Sequence, residues 1–331
     1  AKNNVNKIMD LIVIKIIIFL IAIFSFFIFF KYSQQIGNKI NLLDKDRIPL
    51  IGGIILYIGF VLNYLIVKEQ NIISEYLVDI YFISAVFIIA LADDKYDLSA
   101  ILRIIVLSLI VIFFVYENNL FINSMNSKYF GFYYFPNNIF IKFIFSTFCI
   151  IVLLNAFNFT DGINCLATLI GLSWILYLII KLPILFDTYI FFLIFLVVFL
   201  ILNFLNKSYL GDSGNYIIST VIASLIIILN NKFPTIFYIE EILLLLLVPG
   251  LDLIRLFYKR IKNGKSPLIG DFNHFHHLLN NKYGLKKSLI IYILIINIPI
   301  YLFYYFNFLL IYLLILSVVS YFYLVIISSK N

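Results

Sequence analysis

The sequence predicts an all-α protein, a polytopic bundle of about 11 (ten or eleven) transmembrane helices in a single domain. Three observations carry that expectation. Of the 331 residues, 63% are hydrophobic and only 12% charged, against roughly 45–50% and about 25% in soluble domains. A soluble core of this size cannot hide so much apolar surface from water. The apolar residues also fall into stretches of about 20, the helix length that crosses about 30 Å of hydrocarbon. Helices satisfy their backbone polar groups within the segment, as lipid requires. Finally, Lys and Arg divide unequally between alternate connections.

Taken in order, the expected spans are 10–30, 48–67, 74–92, 100–116, 138–157, 164–180, 184–205, 214–230, 236–257, 288–304 and 306–328. The first is a long apolar run with no small-residue cleavage site behind it, so it reads as a span and not as a removed leader. The breaks carry Pro, Gly, Asn, Asp and Lys, the usual punctuation. Some are tight: only Lys181, Leu182 and Pro183 divide the sixth span from the seventh. The last two are divided mainly by aromatics around Asn307, which leaves the count at ten or eleven. No internal repeat and no soluble domain is evident. Cys149 and Cys165 lie in or beside apolar runs and suggest neither a disulfide framework nor a zinc site.

The connections reached after an odd number of spans, with the tail, hold sixteen Lys and Arg, and the other side holds seven. The positive-inside rule makes the richer side cytoplasmic, with the N-terminus outside and the C-terminus inside. A bacterial cytoplasmic (inner) membrane protein is expected. The net charge of +7 follows from those loops and calls for no nucleic acid partner.

The polar chemistry gathers on that same side, in loops near 31–47, 92–103, 155–165, 206–215 and 255–287. Asp93, Asp94 and Asp97 close the third span. At i and i+4, Asp93 and Asp97 should share a helix face. Adjacent carboxylates repel, so a divalent cation or a retained proton is expected among them. Asn155 and Asn158 lie one turn apart, ahead of Asp161 and Asn164. Their amide and carboxylate oxygens suit Mg²⁺, which keeps waters and substrate phosphates. GDSGN places Asp212 at the start of a helix, where backbone N–H groups can point at an anion. The last loop carries Asp271 and the three histidines of the chain, His274, His276 and His277, among Arg255, Arg260 and Lys265. With so many cations this loop suits a phosphate better than zinc. Acids for Mg²⁺, a cationic loop and a membrane platform together fit phosphoryl transfer at a pyrophosphate.

The stretches RIPLIGG, ADDKYDLSAILR, NAFNFTDGINCLA, GDSGN and VPGLDLIRLFYKRIKNGKSPLIGDFNHFHHLL run in this order from Arg47 to Leu279. They resemble the polyprenyl-phosphate N-acetylhexosamine-1-phosphate transferases. HFHH is closer to the N-acetylglucosamine-type branch than to the peptidoglycan branch, with its three consecutive histidines. The resemblance implies transfer of a sugar-1-phosphate from a UDP-N-acetylhexosamine to undecaprenyl phosphate, releasing UMP, with Mg²⁺ or Mn²⁺ as cofactor. The product would start a cell-envelope polysaccharide such as lipopolysaccharide. The resemblance also implies Asp212 and Asn158 as metal ligands. Asp93 and Asp94 become the base for the lipid phosphate or the organisers of the metal. Asp161 and Asn164 fall where the family contacts the nucleotide, and Arg255, Arg260 and the histidines where it binds the donor. Two departures stand out: Asn164 replaces an acid and Cys165 a glycine. A membrane prenyltransferase using Mg²⁺ accounts for DDKYD but not for the Asn-rich motif or HFHH. A transporter would carry its charges near the midplane at broken helices. Monomer and homodimer are both open.

Overall fold

A computed structural model describes residues 2–68, 74–136, 138–264 and 273–329, with side chains from Phe19 onward. Lys265 and Asp271 lie outside these described residues. Each of the eleven expected spans is helical. The helices are α1 (Lys2–Ile40), α2 (Gly52–Val67), α3 (Ile80–Tyr96), α4 (Ala100–Glu117), α5 (Ile139–Asn158) and α6 (Leu166–Lys181), then α7 (Ile184–Phe204), α8 (Gly211–Lys232) and α9 (Ile239–Lys262). A short α10 (Phe275–Tyr283) precedes α11 (Leu285–Tyr305) and α12 (Leu310–Ser329). Among the described residues, eight helical segments are long and apolar enough to cross a membrane, so the chain is a multi-pass membrane protein. α2 and α6 are apolar but only 16 residues long, and α9 ends in a charged turn with Lys259, Arg260 and Lys262.

Two features depart from the sequence reading. The connection between α4 and α5 contains an antiparallel hairpin, β1 (Ser124–Ser127) with β2 (Gly131–Tyr134). Its four-residue strands lack the two-residue alternation that announces a strand. α10 is a second addition, a single amphipathic piece too short for a membrane period to reveal.

α8 forms the axis of the bundle, buried along nearly its whole length. Small side chains at Ser213, Gly214, Ser219, Ala223 and Ser224 let α2, α3, α5 and α6 approach it closely. The closest approach explains the paired glycines of RIPLIGG. A Cβ on Gly53 would lie 2.0 Å from Ser213 Oγ. The bare backbone there lets Gly52 N and Gly53 N donate to the carbonyls of Tyr209 and Leu210 at 3.0 and 3.1 Å. α1, α4 and α12 stay at the periphery and present Phe24, Leu109 and Val319 outward, where lipid is their solvent.

Candidate active site

At one end of the bundle, the last turns of α3, α5 and α7 meet the first turns of α4, α6 and α8. Between them lies an open polar cavity of about 650 Å³. Its wall includes Asp93, Asp94, Asp97, Arg103, Asp161, Asn164 and Asp212, with Lys45 in the loop before α2. The acids of three separate motifs thus converge, as the parity of their loops requires.

The DDKYD acids do three different things. Asp93, at 5% exposure, accepts from Arg103 Nη1 at 2.8 Å and from Leu98 N at 2.9 Å. The same guanidinium nitrogen donates to Asp212 Oδ2 at 2.6 Å. A cation does sit among the carboxylates, and it belongs to the protein. Asp94 turns the other way, toward the start of α8. It accepts from Asp212 N at 2.6 Å, Ser213 N at 3.1 Å and Ser213 Oγ at 2.5 Å. The anion expected at the GDSGN helix start is therefore Asp94 itself, where free N–H groups and the helix dipole favour it. Asp97 does not share a helix face with Asp93. α3 ends at Tyr96, and Asp97 turns left-handed at φ 50 while its N–H closes the helix onto Asp93 O. The left-handed C-cap, a known helix stop, overrides the i, i+4 expectation.

Of the Asn-rich motif, Asp161 and Asn164 line the floor, whereas Asn155 and Asn158 lie behind it. Asp161 Oδ2 accepts from Asn215 Nδ2 at 2.8 Å. Surrounding protein raises the Asp161 carboxyl to about 7, Asn215 opposes the rise, and the charge of Asp94 adds to it. Asp161 is exposed to the cavity, so water moderates that rise. Asn158 Nδ2 donates to Tyr216 OH at 3.4 Å. Asn155 Nδ2 is spent on Ile151 O at 2.8 Å, inside its own helix, and Asn155 does not line the cavity. Asn164 Nδ2 donates to Asn206 Oδ1 at 2.5 Å. Cys165 stands where the resembling family has glycine and takes φ 70, a conformation costing about 1–3 kcal/mol without glycine. Its N–H donates to Asn203 Oδ1 at 2.5 Å, which helps hold it there.

The donor set fits a hard cation. Carboxylates surround the cavity, and behind its wall Asn158 Oδ1 and Asn215 Oδ1 are buried without a hydrogen-bond partner among the described residues. Amide and carboxylate oxygens suit Mg²⁺ or Mn²⁺.

The histidines form a separate cluster behind the floor, built around Asp252. That carboxylate meets His274 Nδ1 at 3.1 Å and accepts from Arg255 at 2.7 Å, Tyr321 OH at 2.8 Å and Phe275 N at 3.2 Å. Arg255 also donates to Asn273 O at 2.6 Å. Arg260 lies 3.5 Å from His274 Nε2. His276 stacks on His274, and His277 packs at an angle against both rings. Both ring nitrogens of His276 are buried without a partner among the described residues. Burial, with the neighbouring histidines, holds its imidazole down at about 3. His276 Nε2 faces Gly162 so closely that a Cβ there would meet it at 1.8 Å. That contact joins the histidine cluster to the Asp161 turn. Asp252, His274 and His276 offer ligand atoms within 4.8 Å of one another. The Arg255 pairing and nearby Arg260 oppose a cation there.

Sequence reasoning missed Asp252, Arg103, Asn203 and Asn215. A lone acid inside an apolar helix is itself a signal of function, and Asp252 carried it. The other three announce themselves only through partners distant in sequence.

The family model described as glycosyl transferase family 4 matches residues 76–230, which run from the entry of α3 to the end of α8. Several curated relatives are undecaprenyl-phosphate alpha-N-acetylglucosaminyl 1-phosphate transferases. That of Escherichia coli O157:H7 is 29% identical over 287 residues, covering 78% of this chain and 75% of the relative. The Salmonella typhi protein is 28% identical over 291 residues with the same coverage. The Pasteurella multocida (strain Pm70) protein is 25% identical over 297 residues, covering 76% and 75%. The match covers the helices that build the acidic cavity, and over that stretch the chain is similar to glycosyl transferase family 4.

Proposed function

We infer that the protein transfers N-acetylhexosamine-1-phosphate from a UDP-sugar to undecaprenyl phosphate and releases UMP, a first step in building a cell-envelope polysaccharide. The observation that carries this reading is the convergence of Asp93, Asp94, Asp161 and Asp212 around one polar cavity at an end of a membrane bundle. The relatives' names support it. In the reaction an oxygen of the lipid phosphate bonds to the β-phosphorus of the donor, the bond to the bridging oxygen breaks, and UMP departs.

Asp212 and Asn158 would hold Mg²⁺ or Mn²⁺, which when bound neutralises pyrophosphate charge and acts as a Lewis acid. The protein's own groups supply position and proton handling. Arg103 fixes Asp93 and Asp212 relative to each other. Both oxygens of Asp94 are committed to the start of α8, so Asp94 positions the Asp212 turn and does not offer a free nucleophile. That commitment favours direct attack by the lipid phosphate over a covalent intermediate on Asp94. Asp161, raised to about 7 with only Oδ2 engaged, suits acceptance of a proton from that phosphate. His276, with its unpartnered nitrogens against Gly162, would turn one toward the donor phosphates. Arg255 and Arg260 supply positive charge behind it.

The Lys and Arg asymmetry supports eleven crossings of a bacterial inner membrane with the cavity on the cytoplasmic face. A direct test incubates purified protein with undecaprenyl phosphate, Mg²⁺ and a panel of UDP-N-acetylhexosamines, and measures UMP. Release with one or more donors is expected. No UMP with any donor overturns the reading.

A further inference from the structure

The connection between α4 and α5 sits at the end of the bundle opposite the acidic cavity. It is tied to the last turn of α8, where Asn230 Nδ2 donates to Ser124 O at 2.8 Å. Ser127 Oγ and Lys128 N donate to Glu240 at the start of α9, the latter at 3.2 Å. Ile311 N of α12 donates to Tyr129 OH at 3.1 Å. The hairpin is thus held by the ends of three helices and cannot swing freely.

Its composition does not suit water. Residues 118–138 hold seven aromatic rings and a single charged residue, Lys128. That charge is engaged, because Lys128 Nζ donates to Asn307 Oδ1 at 2.6 Å. Five of the rings, Tyr129, Phe130, Phe132, Tyr133 and Tyr134, are exposed. Phe130 at the turn is 93% exposed, Tyr134 70% and Tyr133 53%. Both faces of β2 are open. Tyr305 and Phe308 of the adjoining α11–α12 connection extend the exposed aromatic surface. Large exposed apolar patches mark a binding surface, and this one is continuous with the lipid-facing sides of the helices. Rings with a polar tip, next to bare phenyl rings and without free charge, match the headgroup boundary, where Tyr and Trp gather in membrane proteins.

We propose that the 124–134 hairpin is an interfacial membrane anchor whose aromatic turn inserts into the headgroup–acyl boundary of the leaflet opposite the catalytic cavity. Fixed to α8, α9 and α12, it sets the depth at which the bundle sits and therefore the height of the cavity at the other interface. Its occupant is lipid and not another protein.

The test places a tryptophan on the hairpin as Phe130→Trp in the full-length protein. The protein is reconstituted into phosphatidylcholine vesicles brominated at shallow or deep acyl positions. Emission of the parent, whose single Trp174 is buried, is subtracted. The anchor predicts blue-shifted emission that loses most of its intensity with shallow bromines and less with deep ones. Water-like emission quenched by neither lipid overturns the proposal, as does blue-shifted emission that bromine does not touch. Tyr134→Trp provides the same readout from a second position if Phe130→Trp folds poorly.

Discussion

Asp94→Ala should separate the role of Asp94 from that of its neighbours. The side chain accepts three hydrogen bonds at the start of α8, from Asp212 N, Ser213 N and Ser213 Oγ. Hydrogen bonds to a charged group are each worth about 1.5–3 kcal/mol. The sum overstates the loss, because removing Asp94 also relieves its repulsion with Asp93 and Asp212. The partners left behind are neutral donors at a part-buried site, so a loss of about 2–4 kcal/mol is the better guide. Asp94→Asn keeps one acceptor oxygen and should lose about 1–2 kcal/mol. Asp97→Ala, on an exposed residue that turns left-handed beyond the helix, should lose about 1 kcal/mol or less, the strain of alanine in that conformation. Thermal unfolding in one detergent, followed by Trp174 fluorescence, ranks the three. The order Asp94→Ala, Asp94→Asn, Asp97→Ala, from lowest to highest melting temperature, is expected. Equal melting of Asp94→Ala and the parent refutes the interlock between α3 and α8.

Three further outcomes follow from the same geometry. Asp212→Asn should abolish UMP release while leaving the melting temperature within a few degrees, and calorimetric titration with Mg²⁺ should lose its binding signal. Retained turnover contradicts a metal-centred site. His276 has a folded value near 3 against about 6.5 unfolded, so its neutral form stabilises the fold. That contribution is full above pH 6.5 and is lost as pH falls toward 3, roughly 2 kcal/mol by pH 5. Asp161, raised instead, contributes stability below about pH 4 that is lost as pH rises through 7. Melting curves of the parent and His276→Phe, compared at each pH, cancel Asp161 and isolate His276; a gap between them that does not change with pH contradicts its burial as a neutral ring. Gly162→Ala should displace the imidazole that a Cβ would meet at 1.8 Å and lower turnover at least about tenfold, the scale of small misplacements near a reacting group. Wild-type kinetics in that variant would show that the contact is dispensable.

The helices were legible because apolar length is a local signal that lipid enforces. The meeting of the acids was legible because loop parity counts sides without any knowledge of packing. What the sequence concealed was pairing. Nothing local says that Arg103 reaches Asp212, 109 residues away, or that the N–H groups of GDSGN donate to Asp94 and not to a ligand. Asp97 misled because its spacing looked helical while a left-handed residue ended α3 one step earlier. Asp252 was overlooked because it shares a turn with Arg255 and lies in an apolar run, although that setting is costly unless the charge is used. Cys165 is the converse case. The unusual residue was visible, but its consequence, a left-handed N-cap steadied by Asn203, depends on a helix 38 residues further on.

The central claim is that a sugar-1-phosphate, and not a bare sugar, moves to the lipid. Donor labelled separately at the α- and β-phosphates distinguishes the two. Incubated with undecaprenyl phosphate and Mg²⁺, the β-label should pass into the organic phase with the lipid while the α-label stays in water as UMP. Both labels left together in water as UDP, or no label reaching the lipid, would contradict the account.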